Sequence, residues 1–181
     1  MSDLYILDCG LGSELKRKGF DLPDWTNSIW SAQAIIDEPD LIVEIHKDSI
    51  EAGSTVITTS NYYATPLILK DKQSKFDYKE LSEIALTLAE RAVKQSGKDI
   101  MIAGCFPPIN VSFRPDLTPN KSEVESFYET LAEIYKGRVD AILCETMASI
   151  FEGEIAADVA SQHFKKVWLS WNTRGLNPSL I

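Results

Sequence analysis

The chain has 181 residues, of which 44% are hydrophobic, and a formal net charge of -9. This length and apolar content are sufficient for one domain with its own core. The acidic balance argues against a partner such as nucleic acid or an anionic membrane surface. No apolar run approaches the roughly 20 residues that a bilayer-spanning helix needs, and no apolar leader follows Met1. We therefore expect a cytoplasmic protein.

The chain contains three cysteines, Cys9, Cys105 and Cys144. An odd, sparse set without Cys-x-x-Cys spacing provides no disulfide framework, and it suits a reducing compartment.

The first element to interpret is the apolar segment of residues 4–8, which ends on Asp8 and turns through Gly10 and Gly12. A short apolar run bounded by glycine is typical of a buried parallel strand. In parallel α/β proteins, the side chains at the carboxyl ends of strands face the ligand site. The segment predicts a first strand whose carboxylate, Asp8, faces that site.

The remainder of the chain alternates strands with helices. Four further strands are predicted at residues 55–59, 100–105, 141–145 and 166–172. Helices are predicted at residues 13–18, from residue 29 with Ser31 as N-cap, and at 39–52, 79–95, 122–136 and 149–162. Every connection is long enough for a parallel crossover, so the fold is α/β, either a doubly wound sheet or part of a (β/α)8 barrel.

The helix at residues 39–52 contains His46, which we place beside its apolar stripe. A lone histidine on a helix is usually a surface or boundary residue, so we expect no chemical role for it.

A dinucleotide site must be weighed because Gly10 and Gly12 follow a strand and open a helix. Leu15 occupies the third glycine position, and the second strand does not end on an acid that could bind a ribose hydroxyl. The pattern therefore disfavours a Rossmann site, and no Gly-Lys-Ser/Thr phosphate loop is present in the sequence.

Several polar side chains follow the strand ends: Asp8, Thr58, Thr59, Tyr62, Tyr63, Cys105 and Glu145. Two carboxylates with aromatic rings would suit a cationic or zwitterionic ligand such as an amino acid. Carboxylates are also favoured at helix N-termini, so Asp8 and Glu145 could instead cap the helices that follow them. The spacing alone leaves both interpretations open.

Residues 7–15, Leu-Asp-Cys-Gly-Leu-Gly-Ser-Glu-Leu, resemble the LDGGLGTEL opening of the homocysteine S-methyltransferase family. Further similar segments follow in order at residues 30–32, 51–64, 103–104, 145–146 and 167–170. Each segment alone is a weak signal, but the set is specific and covers almost the whole chain.

The resemblance implies a (β/α)8 TIM-barrel type, incomplete here at about five β/α units, in a single homocysteine-binding domain over residues 1–181. It implies that Asp8 and Glu145 hold the substrate amino group, and the positions around the substrate match Trp30, Thr59, Tyr62 and Tyr63. It also implies zinc, held by three cysteines, which binds the substrate sulfur as a thiolate. That thiolate takes a methyl group from a sulfonium or ammonium donor, S-adenosylmethionine or S-methylmethionine, giving methionine.

The sequence departs from the family in two respects. Cys9 stands where a second glycine is usual, and the family's zinc cysteines belong to the sixth and eighth strands, whereas this chain stops after the fifth. If Asp8 and Glu145 face the ligand, strand alternation turns Cys9 and Cys144 away, so we expect buried, inert thiols.

We therefore expect no tight zinc binding and no methyl transfer by this chain alone. A second hypothesis is a shortened, non-catalytic homologue that acts as an amino-acid-binding or interaction module. Unpaired edge strands in an incomplete barrel also predict self-association.

Overall fold

The computed structural model describes residues 4–172, which contain a parallel sheet of four strands in the order β1-β2-β3-β4. The strands are Val56–Thr58 (β1), Met101–Phe106 (β2), Ala141–Met147 (β3) and Val167–Trp171 (β4). Because all three neighbouring pairs are parallel, the carboxyl ends of the strands meet at one edge of the sheet. The four later strands of the sequence prediction are confirmed.

Seven α-helices occur in the described part of the chain, with short 3-10 turns at Trp30–Ala32 and Pro115–Leu117. They are Leu11–Arg17 (α1), Gln33–Asp37 (α2), Pro39–Ala52 (α3), Pro66–Asp71 (α4), Tyr78–Ser96 (α5), Lys121–Tyr135 (α6) and Ile150–His163 (α7). None of the helices in residues 4–172 has the length and apolar character needed to cross a membrane.

Local capping explains where the longer helices begin and end. Pro39 occupies the first turn of α3, and Gly53 ends that helix at a φ of 111°, which glycine adopts without strain. Asp77 and Ser149 accept backbone hydrogen bonds at the N-termini of α5 and α7. The prediction that Ser31 caps a helix is wrong, because Ser31 lies inside the 3-10 turn and no side-chain cap bond forms there.

The first predicted strand does not form. The Ile6 carbonyl accepts hydrogen bonds from Thr55 N (2.9 Å) and Val56 N (3.1 Å), but Ile6 N donates to the Thr55 side-chain hydroxyl instead of a backbone carbonyl. This side-chain bond interrupts the ladder, so residues 4–8 run beside β1 as an extended segment. Their apolar side chains are also not buried as expected, since Leu4 is 79% exposed.

The two faces of the sheet have different partners. The large core lies between the sheet and the helices and contains bulky buried side chains such as Ile57, Phe106 and Tyr135. The opposite face carries a small cluster centred on Val56, Ala103 and Leu143. Helices outside a parallel sheet, with side chains layered on its inner face, form the (β/α)8 arrangement, and residues 4–172 form part of such a barrel.

Candidate functional site

A cavity of about 330 Å³ opens at the carboxyl edge of the sheet. We call it the strand-end cavity. Its walls come from the turn before α1, the 3-10 turn, α3 and the ends of β1 and β3. Five of the six predicted site residues line it: Asp8, Trp30, Thr59, Tyr62 and Glu145. The parallel strand order brings together these side chains, which are up to 137 positions apart in sequence.

Asp8 is fixed at the cavity wall by the end of β1. Its Oδ2 accepts a hydrogen bond from Thr58 N (2.9 Å), and its Oδ1 accepts one from Thr58 Oγ1 (3.0 Å). Both bonds require that residues 4–8 lie beside β1, as the contacts of Ile6 ensure. Asp8 is therefore held by β1 and does not cap the helix that follows it.

Glu145 lies near the end of the inner strand β3, with one oxygen held by a thiol. Cys105 Sγ donates to Glu145 Oε2 at 3.3 Å. Burial raises the pKa of Glu145, and the negative charge of Asp8 raises it further, while the bond from Cys105 opposes the shift. Burial and the neighbouring Glu145 also raise the pKa of Cys105, so this sulfur stays protonated and acts as a donor.

Thr59 lines the cavity, but its hydroxyl is occupied by the protein itself. It donates to Asn61 Oδ1 (2.7 Å) and accepts from Cys105 N (2.8 Å). The Tyr135 hydroxyl lies 3.2 Å away. The described contacts therefore make Thr59 a link between the ends of β1 and β2.

Tyr62 is joined to the end of β3 through hydroxyl groups. Thr146 Oγ1 donates to the Tyr62 oxygen at 2.6 Å, and Ser112 Oγ also hydrogen-bonds to it. Burial raises the pKa of Tyr62, so its hydroxyl is neutral at physiological pH. Thr146 adopts a φ of 50°, which is rare for a β-branched residue, and its backbone N–H donates to Ser170 Oγ at 2.8 Å.

Trp30 covers the start of α1. A Cβ atom on Gly12 would lie 2.6 Å from the Trp30 ring, so glycine is required for this close approach. Tyr63 packs against Trp30, with the two ring centroids 5.6 Å apart in an edge-on arrangement. Tyr63 is buried and is the one predicted site residue that does not line the cavity.

Two polar side chains that the sequence analysis did not select also line the cavity. His46, expected at a surface or boundary, is 2% exposed, and its Nδ1 lies 3.7 Å from Asp8 Oδ2. Ser60 is 4% exposed. Neither ring nitrogen of His46 nor Ser60 Oγ has a hydrogen-bond partner among the described residues. The available signal for His46 was its position in the helical stripe formed by Ile42, Ile45 and Ser49.

The expectation for Cys9 is also wrong. Cys9 is exposed and lines the cavity, and its sulfur lies 3.4 Å from Ser49 Oγ. Strand alternation predicted a buried thiol, but residues 4–8 are not a strand and alternation does not govern them. Cys144 is buried, as expected, and Cys105 is buried as well.

The donor atoms present do not fit the zinc site that the resemblance implies. Within residues 4–172, no group of three His, Cys, Asp or Glu side chains is arranged to hold a metal ion. A zinc ligand must be a thiolate. The Cys105 thiol donates a hydrogen bond to Glu145, and burial raises the pKa of Cys144 to about 12.

Comparison with known proteins finds methyltransferases among the relatives of this chain. The chain is 27% identical to a homocysteine S-methyltransferase of Escherichia coli, over 95% of this chain and 59% of the relative. It is 27% identical to a selenocysteine Se-methyltransferase of Brassica oleracea, over 95% of this chain and 57% of the relative. It is 29% identical to betaine–homocysteine S-methyltransferase 1 of Danio rerio, over 91% of this chain and 40% of the relative. The chain thus spans less than two thirds of the length of these relatives.

The fold agrees with that of a solved structure, the metallated form of the homocysteine methyltransferase MmuM from Escherichia coli. The TM-score is 0.78 at 24% identity, with 96% of this chain and 65% of the other covered. The family model described as homocysteine S-methyltransferase matches residues 5–179. The chain therefore belongs to the homocysteine S-methyltransferase family.

Proposed function

We propose that this protein is a homocysteine S-methyltransferase, which moves a methyl group from a sulfonium or ammonium donor to the sulfur of homocysteine and forms methionine. The observation that carries the proposal is the pair of carboxylates, Asp8 and Glu145, in one strand-end cavity of a chain of this family. The names of its relatives support the reaction class, because all are methyltransferases that act on sulfur or selenium amino acids.

In the proposed complex, the substrate ammonium group lies between Asp8 and Glu145. The free cavity holds these two acids close enough for the charge of Asp8 to raise the pKa of Glu145. An ammonium ion offsets that repulsion and donates charge-assisted hydrogen bonds to both carboxylates. Substrate binding would therefore lower the raised pKa of Glu145.

The aromatic residues Trp30 and Tyr62 would contact the carbon chain of the substrate. Both line the cavity, and hydrogen bonds with Ser112 and Thr146 fix the Tyr62 ring. Rigid walls restrict the direction in which the carbon chain and its terminal sulfur extend from the amino group. Direct displacement requires that this sulfur be aligned with the methyl donor. We assign Thr59 and Tyr63 supporting roles, because they hold the cavity wall and the Trp30 ring.

We further propose that residues 1–181 are one homocysteine-binding domain that supplies the amino-group half of the site. Zinc, when bound in this family, supplies a thiolate at neutral pH. Since the donors within residues 4–172 do not fit it, we derive no step through the metal. S-adenosylmethionine and S-methylmethionine are both sulfonium donors, and the contacts described here concern the acceptor amino acid.

The test is methionine formation by the full-length, zinc-loaded protein with L-homocysteine and each donor in turn, followed by mass spectrometry. We expect product with a sulfonium donor and its loss in the paired variants Asp8→Asn and Glu145→Gln. Product formation that survives both substitutions would overturn the proposed site.

The second candidate is a non-catalytic amino-acid-binding module, because the features that carry the proposal, two carboxylates and aromatic rings in one cavity, concern binding of the amino acid. It shares the amino-group site and differs in the outcome of the same assay. Homocysteine binding in calorimetry, weakened by Asp8→Asn, without methionine from any sulfonium or betaine donor would favour the module.

A further inference from the structure

We propose that His46 is a positioning residue that completes the hydrogen bonding of Asp8 when an amino acid enters the strand-end cavity. The inference rests on the proposed function and adds a residue to it. It begins from the fact that His46 is 2% exposed while neither ring nitrogen has a hydrogen-bond partner among residues 4–172. A buried polar group without a partner is destabilising, so its presence in a cavity wall calls for a partner in another state.

The nearest candidate partner is Asp8. His46 Nδ1 lies 3.7 Å from Asp8 Oδ2, which is beyond hydrogen-bond distance but within reach of a small side-chain movement. Contacts at binding sites are often long in the ligand-free state and shorten in the complex. Excluding water from the cavity would strengthen the attraction between the ring N–H and the carboxylate.

Counting acceptor sites shows what this bond would do. An ionised carboxylate has about two acceptor sites on each oxygen. Oδ1 and Oδ2 of Asp8 each already accept one bond from Thr58. A bond from His46 would fill the second site on Oδ2. The open site on Oδ1 would then be the one that receives the ligand ammonium, so His46 would set the direction of binding.

The position of His46 agrees with this role. It lies on α3, whose neighbouring residues Ile42, Ile45 and Ser49 are buried against the rest of the fold. Ser49 Oγ donates to the Ile45 carbonyl at 3.1 Å and makes no hydrogen bond with the His46 ring. Helix α3 therefore holds His46 within 3.7 Å of Asp8 at the cavity wall.

The test separates the two ring nitrogens. In the full-length protein, His46→Asn retains a donor near the position of Nδ1, His46→Gln places one near Nε2, and His46→Leu removes both. Titration calorimetry with L-homocysteine should show about tenfold weaker binding for His46→Leu and His46→Gln, the size expected for one bond to a charged group. His46→Asn should stay within about threefold of the unmodified protein.

Coupling to Asp8 is the decisive measurement. In an Asp8→Asn background, adding His46→Leu should change the affinity by less than about twofold, because the contact is already lost. His163→Leu is the matched control: His163 contacts Glu129 at 2.8 Å on α6, away from the cavity, and its loss should leave the affinity unchanged. The proposal would be overturned if the affinity loss in the double variant equalled the product of the two single losses. Equal affinity losses in His46→Asn and His46→Gln would also overturn it.

A ligand-free readout distinguishes failure of this inference from failure of the proposed function. Nitrogen-15 spectra of the histidines should show His46 protonated on Nδ1, with a signal that moves in Asp8→Asn while that of His163 does not. A His46 ring protonated on Nε2 would overturn the inference even if homocysteine binds. Failure to bind homocysteine with His46 protonated on Nδ1 would instead remove the proposed function and leave the Asp8–His46 contact supported.

Discussion

Two acidic side chains of the third β/α unit, Glu145 and Glu152, differ in how completely the protein satisfies them. Glu152, on α7, is 1% exposed and accepts bonds from Ile109 N (2.6 Å), Tyr128 OH (3.1 Å) and Thr118 Oγ1 (3.5 Å). Glu145, on β3, accepts one bond from the Cys105 thiol and faces the strand-end cavity. Burial raises the pKa of both carboxyl groups.

The difference separates a structural carboxylate from one available to a ligand. Two of the three donors to Glu152, Ile109 and Thr118, lie in the loop between β2 and α6, and Tyr128 lies on α6, so the Glu152 side chain ties the loop and α6 to α7. Glu145 has unused acceptor capacity directed at a cavity that also contains Asp8. Burial and a raised pKa are common to both, so the number of hydrogen bonds that each accepts is what distinguishes the two carboxylates.

The largest expected effect is on ligand binding by Glu145→Gln. Removing the charge should weaken homocysteine binding by about 3 kcal/mol, or roughly 150-fold, because a charge-assisted contact to the ammonium is lost. Isothermal titration calorimetry measures this directly. Glu152→Gln is the matched control, and its affinity for homocysteine should be unchanged. Equal losses in the two variants would remove the distinction between the two carboxylates.

The next largest effect is on the free energy of unfolding, and here Glu152→Gln should be more damaging than Glu145→Gln. Glu152→Gln should lower the free energy of unfolding by about 1.5 kcal/mol, because an amide cannot accept from all three donors. Urea denaturation of both variants tests this, with the exposed neighbour Glu154→Gln as a neutral control. Glu145→Gln should leave the stability unchanged or raise it, since a buried charge with one partner is removed. A fall larger than that of Glu152→Gln would contradict the assignment.

A smaller effect is the pH dependence that Glu145 introduces. Burial and the charge of Asp8 raise its pKa above the ordinary value of 4.5, and a bound ammonium would lower it again. Homocysteine affinity should therefore fall as the pH drops through the raised pKa, and binding near that pH should release a proton. Calorimetry in buffers of different ionisation enthalpy detects the release, which Glu145→Gln should abolish.

The stability of the free protein should change with pH in the opposite direction to the homocysteine affinity. For a carboxyl group with a raised folded-state pKa, the stabilising contribution is complete below the unfolded-state pKa and is lost as the pH rises through the folded-state pKa. The Glu145 contribution to thermal stability should decline across that window in the absence of ligand. A melting temperature whose pH dependence is the same in Glu145→Gln would argue against the raised pKa.

Patterns within the chain predicted much of the fold. The β-branched run at β1 and the alternation of strands with amphipathic helices were sufficient for four strands and the parallel class. The segment at residues 4–8 has the same apolar composition but does not form a strand, because the Thr55 side chain replaces a backbone partner. Competition between one side chain and the backbone ladder is not visible in hydrophobic periodicity.

The site was predicted in part for a similar reason. Strand ends identified Asp8 and Glu145, since parallel order brings such ends together wherever they occur in sequence. His46 was missed because it reaches the cavity from a helix face, which depends on how α3 packs. Thr59 was selected by position, yet its hydroxyl is used by Asn61 and Cys105, and a sequence does not show that occupancy.

The smallest expected effect concerns self-association at the sheet edge. Among the described residues β4 pairs with β3 alone, and Leu169 on it is 37% exposed. A strand with one unpaired edge among the described residues and an exposed apolar side chain favours pairing with a second copy, so we propose that the 181-residue chain associates through β4. Leu169→Lys should weaken that association by about 1 kcal/mol, because part of a leucine's burial is lost and like charges oppose each other. Sedimentation velocity over a concentration series measures the change, with Lys165→Leu as a control of opposite polarity that should not weaken it. A monomeric chain at all concentrations would show that this edge is already covered.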